Sequence, residues 1–236
     1  MSSNISPGLK DPALLTPPQP FGYKTAWFAI HSEEPQAVAA AVELRRPQTV
    51  NWEYGTWHAY QYDDYQMFVS PPVNGWVLVM GMPIVWEADS HAVERMVELS
   101  KQFEEVQLFA SMRTSSSYMW ARTSKGKLIR LFYEGDGERR VTGEETAEEK
   151  ALGFKFFDSS SPESQKPGYW DRKDLTYLDE EHVLQVAARW SVDPSKLDQM
   201  GLKPVLGLLG DPSASYPPKP KPIRRRKPGF WEKLFR

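Results

Sequence analysis

Met67-Phe68-Val69-Ser70-Pro71-Pro72-Val73-Asn74-Gly75-Trp76-Val77-Leu78-Val79-Met80-Gly81-Met82-Pro83-Ile84-Val85-Trp86 is the stretch on which the fold turns. Two apolar, strand-like segments flank a Pro-Pro and an Asn-Gly, the residues of a tight connection. Apolar runs without a polar face belong where both sides are covered, so this stretch reads as the buried centre of a sheet. It holds no Ser-His pairing, phosphate loop or metal-ligand cluster.

Working outward, Tyr23–Ser32 alternates (Ala26, Phe28, Ile30 against Trp27, Ala29, His31) and predicts a strand. Glu34-Pro35 opens an alanine-rich helix through Leu44 that stops at Pro47. Strands are expected at Val50–Gly55, Trp57–Tyr62, Gln66–Ser70 and Gly75–Met80. Ala88–Lys101 is an amphipathic helix capped by Asp89 or Ser90. Further strands follow at Glu105–Ser111, Ser117–Thr123, Lys127–Tyr133 and Arg139–Thr142, the second and third of these joined by Ser124-Lys125-Gly126. Thr146-Ala147-Glu148-Glu149 is a capping box for a helix that Gly153 ends. A last helix spans Glu180–Trp190, with a short helical turn at Ser195–Gln199.

The order strand, helix, strand, strand recurs, residues 25–70 against 76–133. The fold class expected is therefore α+β: a mixed or antiparallel sheet from two βαββ units, helices packed on one face, plus a C-terminal helix and an extended basic tail. Residues 1–20, with five prolines, read as an extended N-terminal arm, 21–200 as a single domain, and 201–236 as a proline-rich basic tail with little fixed structure beyond Pro204.

The chain has 236 residues, 40% of them hydrophobic, ample for a core, and no cysteine, which excludes disulfides and thiolate chemistry. No apolar stretch approaches the roughly 18 residues of a membrane span, and the reading is a cytoplasmic protein. The net charge of −2 conceals an asymmetry: residues 219–236 hold eight basic residues against Glu232 alone, giving +7, and leave −9 on residues 1–218. An acidic body argues against nucleic acid and for a cationic partner, whereas the tail suits an anionic one.

Catalytic signatures are missing. The four histidines, His31, His58, His91 and His182, sit on separate elements without metal-ligand spacing, so no metal and no cofactor is expected. His58 is the one candidate general base, with Asp63 or Asp64 beside it in a hydrolase reading that ranks last. The carboxylates at Glu104-Glu105, Glu144-Glu145, Glu148-Glu149 and Asp179-Glu180-Glu181 fall at turns and helix starts, where the helix dipole accounts for them.

A sharper signal is the density of rings and acids in Trp52, Tyr54, Trp57, Tyr60, Tyr62, Asp63 and Asp64. A sheet face ordinarily buries such rings in the core; the other outcome is a recognition patch, since tryptophan and tyrosine combine contact area with a polar handle and neighbouring carboxylates select a basic surface, and on that reading these residues form the candidate partner-binding site. The tail offers a second candidate. A proline-spaced stalk (Tyr216-Pro217-Pro218-Lys219-Pro220-Lys221-Pro222) leads to Arg224, Arg225, Arg226 and Lys227, then to Phe230, Trp231, Leu234 and Phe235, a cationic aromatic tip suited to an anionic membrane surface or an acidic protein groove.

The segments Thr25–Leu44, Phe68–Trp76, Glu148–Phe156 and Val183–Leu197, with Trp190-Ser191-Val192-Asp193-Pro194, resemble those of uncharacterised bacterial proteins of toxin-immunity type. The resemblance spans most of residues 21–200, excludes the tail and carries no catalytic motif. It implies a protein that neutralises a cognate antibacterial toxin by direct binding. The alternative expectation is a peripheral membrane or scaffold protein localised by its tail.

Overall fold

The computed structural model describes residues 11–87, 91–135 and 137–219. Nine strands form one open sheet: β1 (Thr25–His31), β2 (Arg45–Val50), β3 (Met67–Val73), β4 (Trp76–Gly81), β5 (Glu105–Met112), β6 (Ser117–Ser124), β7 (Lys127–Gly135), β8 (Glu138–Thr142) and β9 (Gly207–Asp211). Their order is β2-β9-β3-β4-β1-β5-β6-β7-β8, with every neighbouring pair antiparallel. The expected α+β class and the antiparallel option hold.

The hairpin of the opening stretch is β3 and β4, near the middle of the sheet. Asn74 and Gly75 take φ of 49° and 86°, so both central residues are left-handed, the backbone a two-residue turn between twisted strands requires. The ladder shifts between Val69 and Pro72, and there the Ser70 hydroxyl accepts from the Leu78 N–H at 2.9 Å, satisfying that donor with a side-chain oxygen. Pairing of β3 with β9 covers Met67–Val69 and stops before the prolines. Beyond Gly81 the chain is helical (α3, Met82–Glu87), so Ile84 and Val85 lie on a helix and not on a strand.

Alternation along β1 sends Ala26, Phe28 and Ile30 to one side, where they pack with α1 (Pro35–Ala41), α3 and α4 (Ala92–Phe103). Trp27 and Ala29 face the other side, beneath α2 (Trp52–Tyr60) and α6 (Glu180–Trp190). The sheet is therefore covered on both faces, which explains why its central strands lack a polar side. The expectation of helices on one face holds for α1 and α4; α2 and α6 occupy the opposite one. The helix over residues 147–152 (α5) carries the expected capping box and ends at Gly153 in the left-handed region, φ 66°.

Three further assignments are corrected. Val50–Gly55 and Trp57–Tyr62 are not strands: after β2 ends at Val50, residues 52–60 form α2. Asn51 caps this helix by accepting from the Tyr54 N–H, and Trp52, Gly55, Thr56 and Ala59 give the i, i+3, i+4, i+7 stripe that packs inward. The aromatic residues that favour strands are outweighed by this cap and stripe. Likewise, the segment beyond Pro204 is not structureless, because β9 fills the gap between β2 and β3. Gly207 and Gly210 allow that fit: a Cβ at either would lie 2.6 Å from a neighbouring carbonyl oxygen, Val69 O and Arg45 O respectively.

Part of the expected N-terminal arm is seated on α2. The Asn51 N–H donates to Pro12 O and Asn51 Nδ2 donates to Asp11 O, both at 2.8 Å, and the buried Thr16 hydroxyl accepts from the Glu53 N–H. Residues 1–10, the caps Asp89 and Ser90, and the tail residues Arg224, Arg225, Arg226, Lys227, Phe230, Trp231, Leu234 and Phe235 lie outside the described residues.

Candidate functional site

The candidate site is built on α2 and the turn that follows it. Because the segment is a helix, Trp52 and Tyr54 point about 200° apart instead of sharing a face. Trp52 is 1% exposed and packs edge-on against Phe68 at 5.4 Å between centroids, so it belongs to the core. Tyr54 and Trp57 fall on the outward stripe and are half-buried.

Tyr60 is drawn to a different neighbour. Its hydroxyl donates to Tyr23 O at 3.0 Å and accepts from the Gly22 N–H at 3.2 Å, bolting α2 to the residues that lead into β1. Burial of the phenol pushes its pKa up to about 12, since the phenolate would lose its hydration there.

His58 links the helix to the acids. Its Nδ1 stands 2.6 Å from Asp64 Oδ2, and its ring lies against Tyr54 at 4.2 Å and Trp57 at 4.7 Å. A carboxylate holding Nδ1 is how a general base is oriented, but Nε2 is buried and has no hydrogen-bond partner, so it does not face a cleft from which a proton could come. As built, the pair fastens the 61–65 turn to the helix. Asp63 projects from the turn with its side chain 95% exposed.

The structure thus gathers Tyr54, Trp57, Tyr62, Asp63 and Asp64 on one surface, with His58 beneath, and separates Trp52 and Tyr60 from it. It also adds residues that sequence reading did not place there. The chain leaving β9 returns as a strap over residues 212–219. The Ser213 and Ser215 hydroxyls donate to the Glu43 carboxylate, and Arg95 lies over the Tyr216 ring at 3.8 Å. The Tyr65 hydroxyl donates to Pro217 O at 2.6 Å. Lys219 is the last described residue of the strap: Nζ donates to Asp63 O at 2.7 Å, pairs with Asp63 Oδ1 at 3.3 Å, and stands 5.5 Å from the Tyr62 ring centroid. The proline-spaced stalk was the one available signal, and it says nothing about where the stalk lands.

A second aromatic cluster stands elsewhere, on the connection between α5 and α6. Trp170 and Tyr177 are 45% and 63% exposed, with planes 6° apart, and both contact Phe157. Among the described residues no three His, Asp or Glu side chains are grouped as a metal site, and no helix is long and apolar enough to cross a membrane.

Comparisons with protein-family models, with curated proteins and with solved structures found no match to this chain.

Proposed function

We propose that the protein is a non-catalytic binding module of immunity type, which covers a cationic partner protein, a cognate antibacterial toxin, and blocks it by occlusion. One observation carries this reading: partly buried rings and the exposed residues Asp63 and Asp64 converge at the outward side of α2 and the 61–65 turn, on a frame pinned by the His58–Asp64 contact and by the arm at residues 11–16. Rigid aromatic contact area needs little ordering when a partner binds, and carboxylates beside it steer a basic surface in. The charge of −9 on residues 1–218 acts in the same direction.

Affinity capture from the native host with the full-length chain tests this. A basic protein should be retained by the wild type, lost with Trp57→Ala, and retained more weakly at high salt and by Asp63→Lys. Recovery of no stable protein partner, or a partner indifferent to both substitutions, would refute the reading.

A further inference from the structure

Lys219 shows what kind of group the 61–65 turn receives. Lys219 meets three features of that turn at once: the Asp63 carboxylate, the Asp63 carbonyl and the Tyr62 ring face. A carboxylate, a carbonyl and a ring face are acceptors for an ammonium group, which has three donors and none of its own to offer as acceptor. Two residues earlier the Pro217 carbonyl, which needs a donor, receives the Tyr65 hydroxyl at 2.6 Å.

The backbone of the turn is held to make both contacts. Tyr65 takes φ of 53°, left-handed for a bulky residue, and its N–H donates to Gln61 O at 3.2 Å. A conformation of that kind persists only where its surroundings over-determine it. Tyr65 is otherwise buried, so its hydroxyl is presented to the strap on a fixed ring.

We infer that Tyr62, Asp63 and Tyr65 form a receptor for an extended proline–lysine segment, and that Pro217–Lys219 of the same chain is its resident occupant, competing with the cationic partner. This rests on the binding surface proposed above and adds its regulation: a partner's lysine reaches Asp63 once Lys219 has left. The chain continues Pro220-Lys221-Pro222, so the recognised pattern repeats in the sequence itself. An exposed ion pair is weak, worth at most about a fivefold change in population, which suits an occupant that must give way.

The test uses the full-length chain and a synthetic peptide of residues 216–222, Tyr-Pro-Pro-Lys-Pro-Lys-Pro, titrated by two-dimensional NMR on the Tyr62, Asp63 and Tyr65 amides. Lys219→Ala should bind the peptide about two- to fivefold more tightly than the wild type, because the competing side chain is gone. Lys219→Arg should stay near the wild type, and Lys219→Ala combined with Asp63→Asn should lose the gain. Equal peptide affinity for Lys219→Ala and wild type, or no shift at these amides in either, overturns the inference. If the peptide behaves as expected while host capture yields no partner, the receptor stands and the immunity reading falls. If a partner is captured with equal affinity by Lys219→Ala and wild type, the occupant does not compete and the inference falls alone.

Discussion

Arg130 on β7 and Glu149 on α5 form an ion pair sealed from solvent: Nη2 and Oε1 are 2.9 Å apart, with side chains 3% and 5% exposed. The carboxylate also accepts from Trp120 Nε1 at 2.8 Å and from the Thr146 N–H at 2.9 Å, and the guanidinium donates to Gly143 O at 3.0 Å. One side chain thus completes the cap of α5, satisfies a core indole and neutralises a buried cation. The joint fixes α5 against the distal half of the sheet.

Removing one charge of that pair should be costly. Glu149→Gln leaves the guanidinium buried without a counterion, and urea denaturation should show a loss of about 3–5 kcal/mol. Combining it with Arg130→Met should recover most of this, because the orphaned cation is gone. A loss below about 1 kcal/mol for Glu149→Gln would mean that the pair is hydrated in solution.

Gly55→Ala separates helix propensity from packing. In an open helix the change should stabilise by about 1 kcal/mol. Here a Cβ would lie 2.2 Å from Phe68 Cδ2, and the Phe68 ring is itself hemmed in by Trp52 and by Gly207. Net destabilisation of about 1–3 kcal/mol is expected in the same urea assay, and any stabilisation would show that Phe68 can move aside.

Alkaline pH should loosen α2 from the β1 side. Tyr60 is raised to about 12 by burial, and Tyr23 to about 12 chiefly by its hydrogen bond to Glu181. The folded state holds these protons more tightly than the unfolded state, whose phenols titrate near 10. Their contribution is complete below about pH 10 and fades as pH rises toward 12. Stability measured from pH 8 to 12 should fall, and Tyr60→Phe should flatten the decline while costing stability at neutral pH.

Acid should release the strap. Hydrogen bonds from Ser213 and then Ser215 hold the Glu43 carboxyl below its ordinary value of 4.5. A depressed carboxylate stabilises above its unfolded value and loses that contribution as pH falls through the folded one. Glu43 is largely solvated, so the effect belongs to the strap and not to global unfolding. The ring-current shift of the Arg95 side chain at Tyr216 should collapse as pH falls below the ordinary carboxylate range, and Glu43→Gln should remove that dependence. A shift that persists throughout the acid range would assign the strap's anchoring to contacts other than Glu43, such as Tyr216 packing and the Tyr65–Pro217 hydrogen bond.

Much of the sheet was legible because its signals are local. Asn74-Gly75 and Lys125-Gly126 mark turns whose residues all take positive φ. Alternation in Ala26–Ile30 assigns each side chain to a face, and Thr146 with Glu149 spells a cap. What misled was α2, where ring density reads as strand; the competing clue, Asn51 as a cap before an i, i+3, i+4, i+7 stripe, is equally local but quieter. The strand β9 had no local signal, since Gly-Leu-Leu-Gly-Asp pairs only because a gap of the right width awaits it. At the candidate site, Tyr62, Asp63 and Asp64 stayed together as chain neighbours, whereas Trp52 and Tyr60 left through helix geometry.

By itself the sequence determined the elements whose turns, caps and alternation lie within a few residues, together with an acidic body and a basic end. Only the tertiary structure decided that Trp52 is core, that Glu149 answers Arg130, and that Lys219 rests on Asp63 across 156 positions of chain. Those contacts depend on backbone geometry summed over whole elements, and no window of sequence contains both partners.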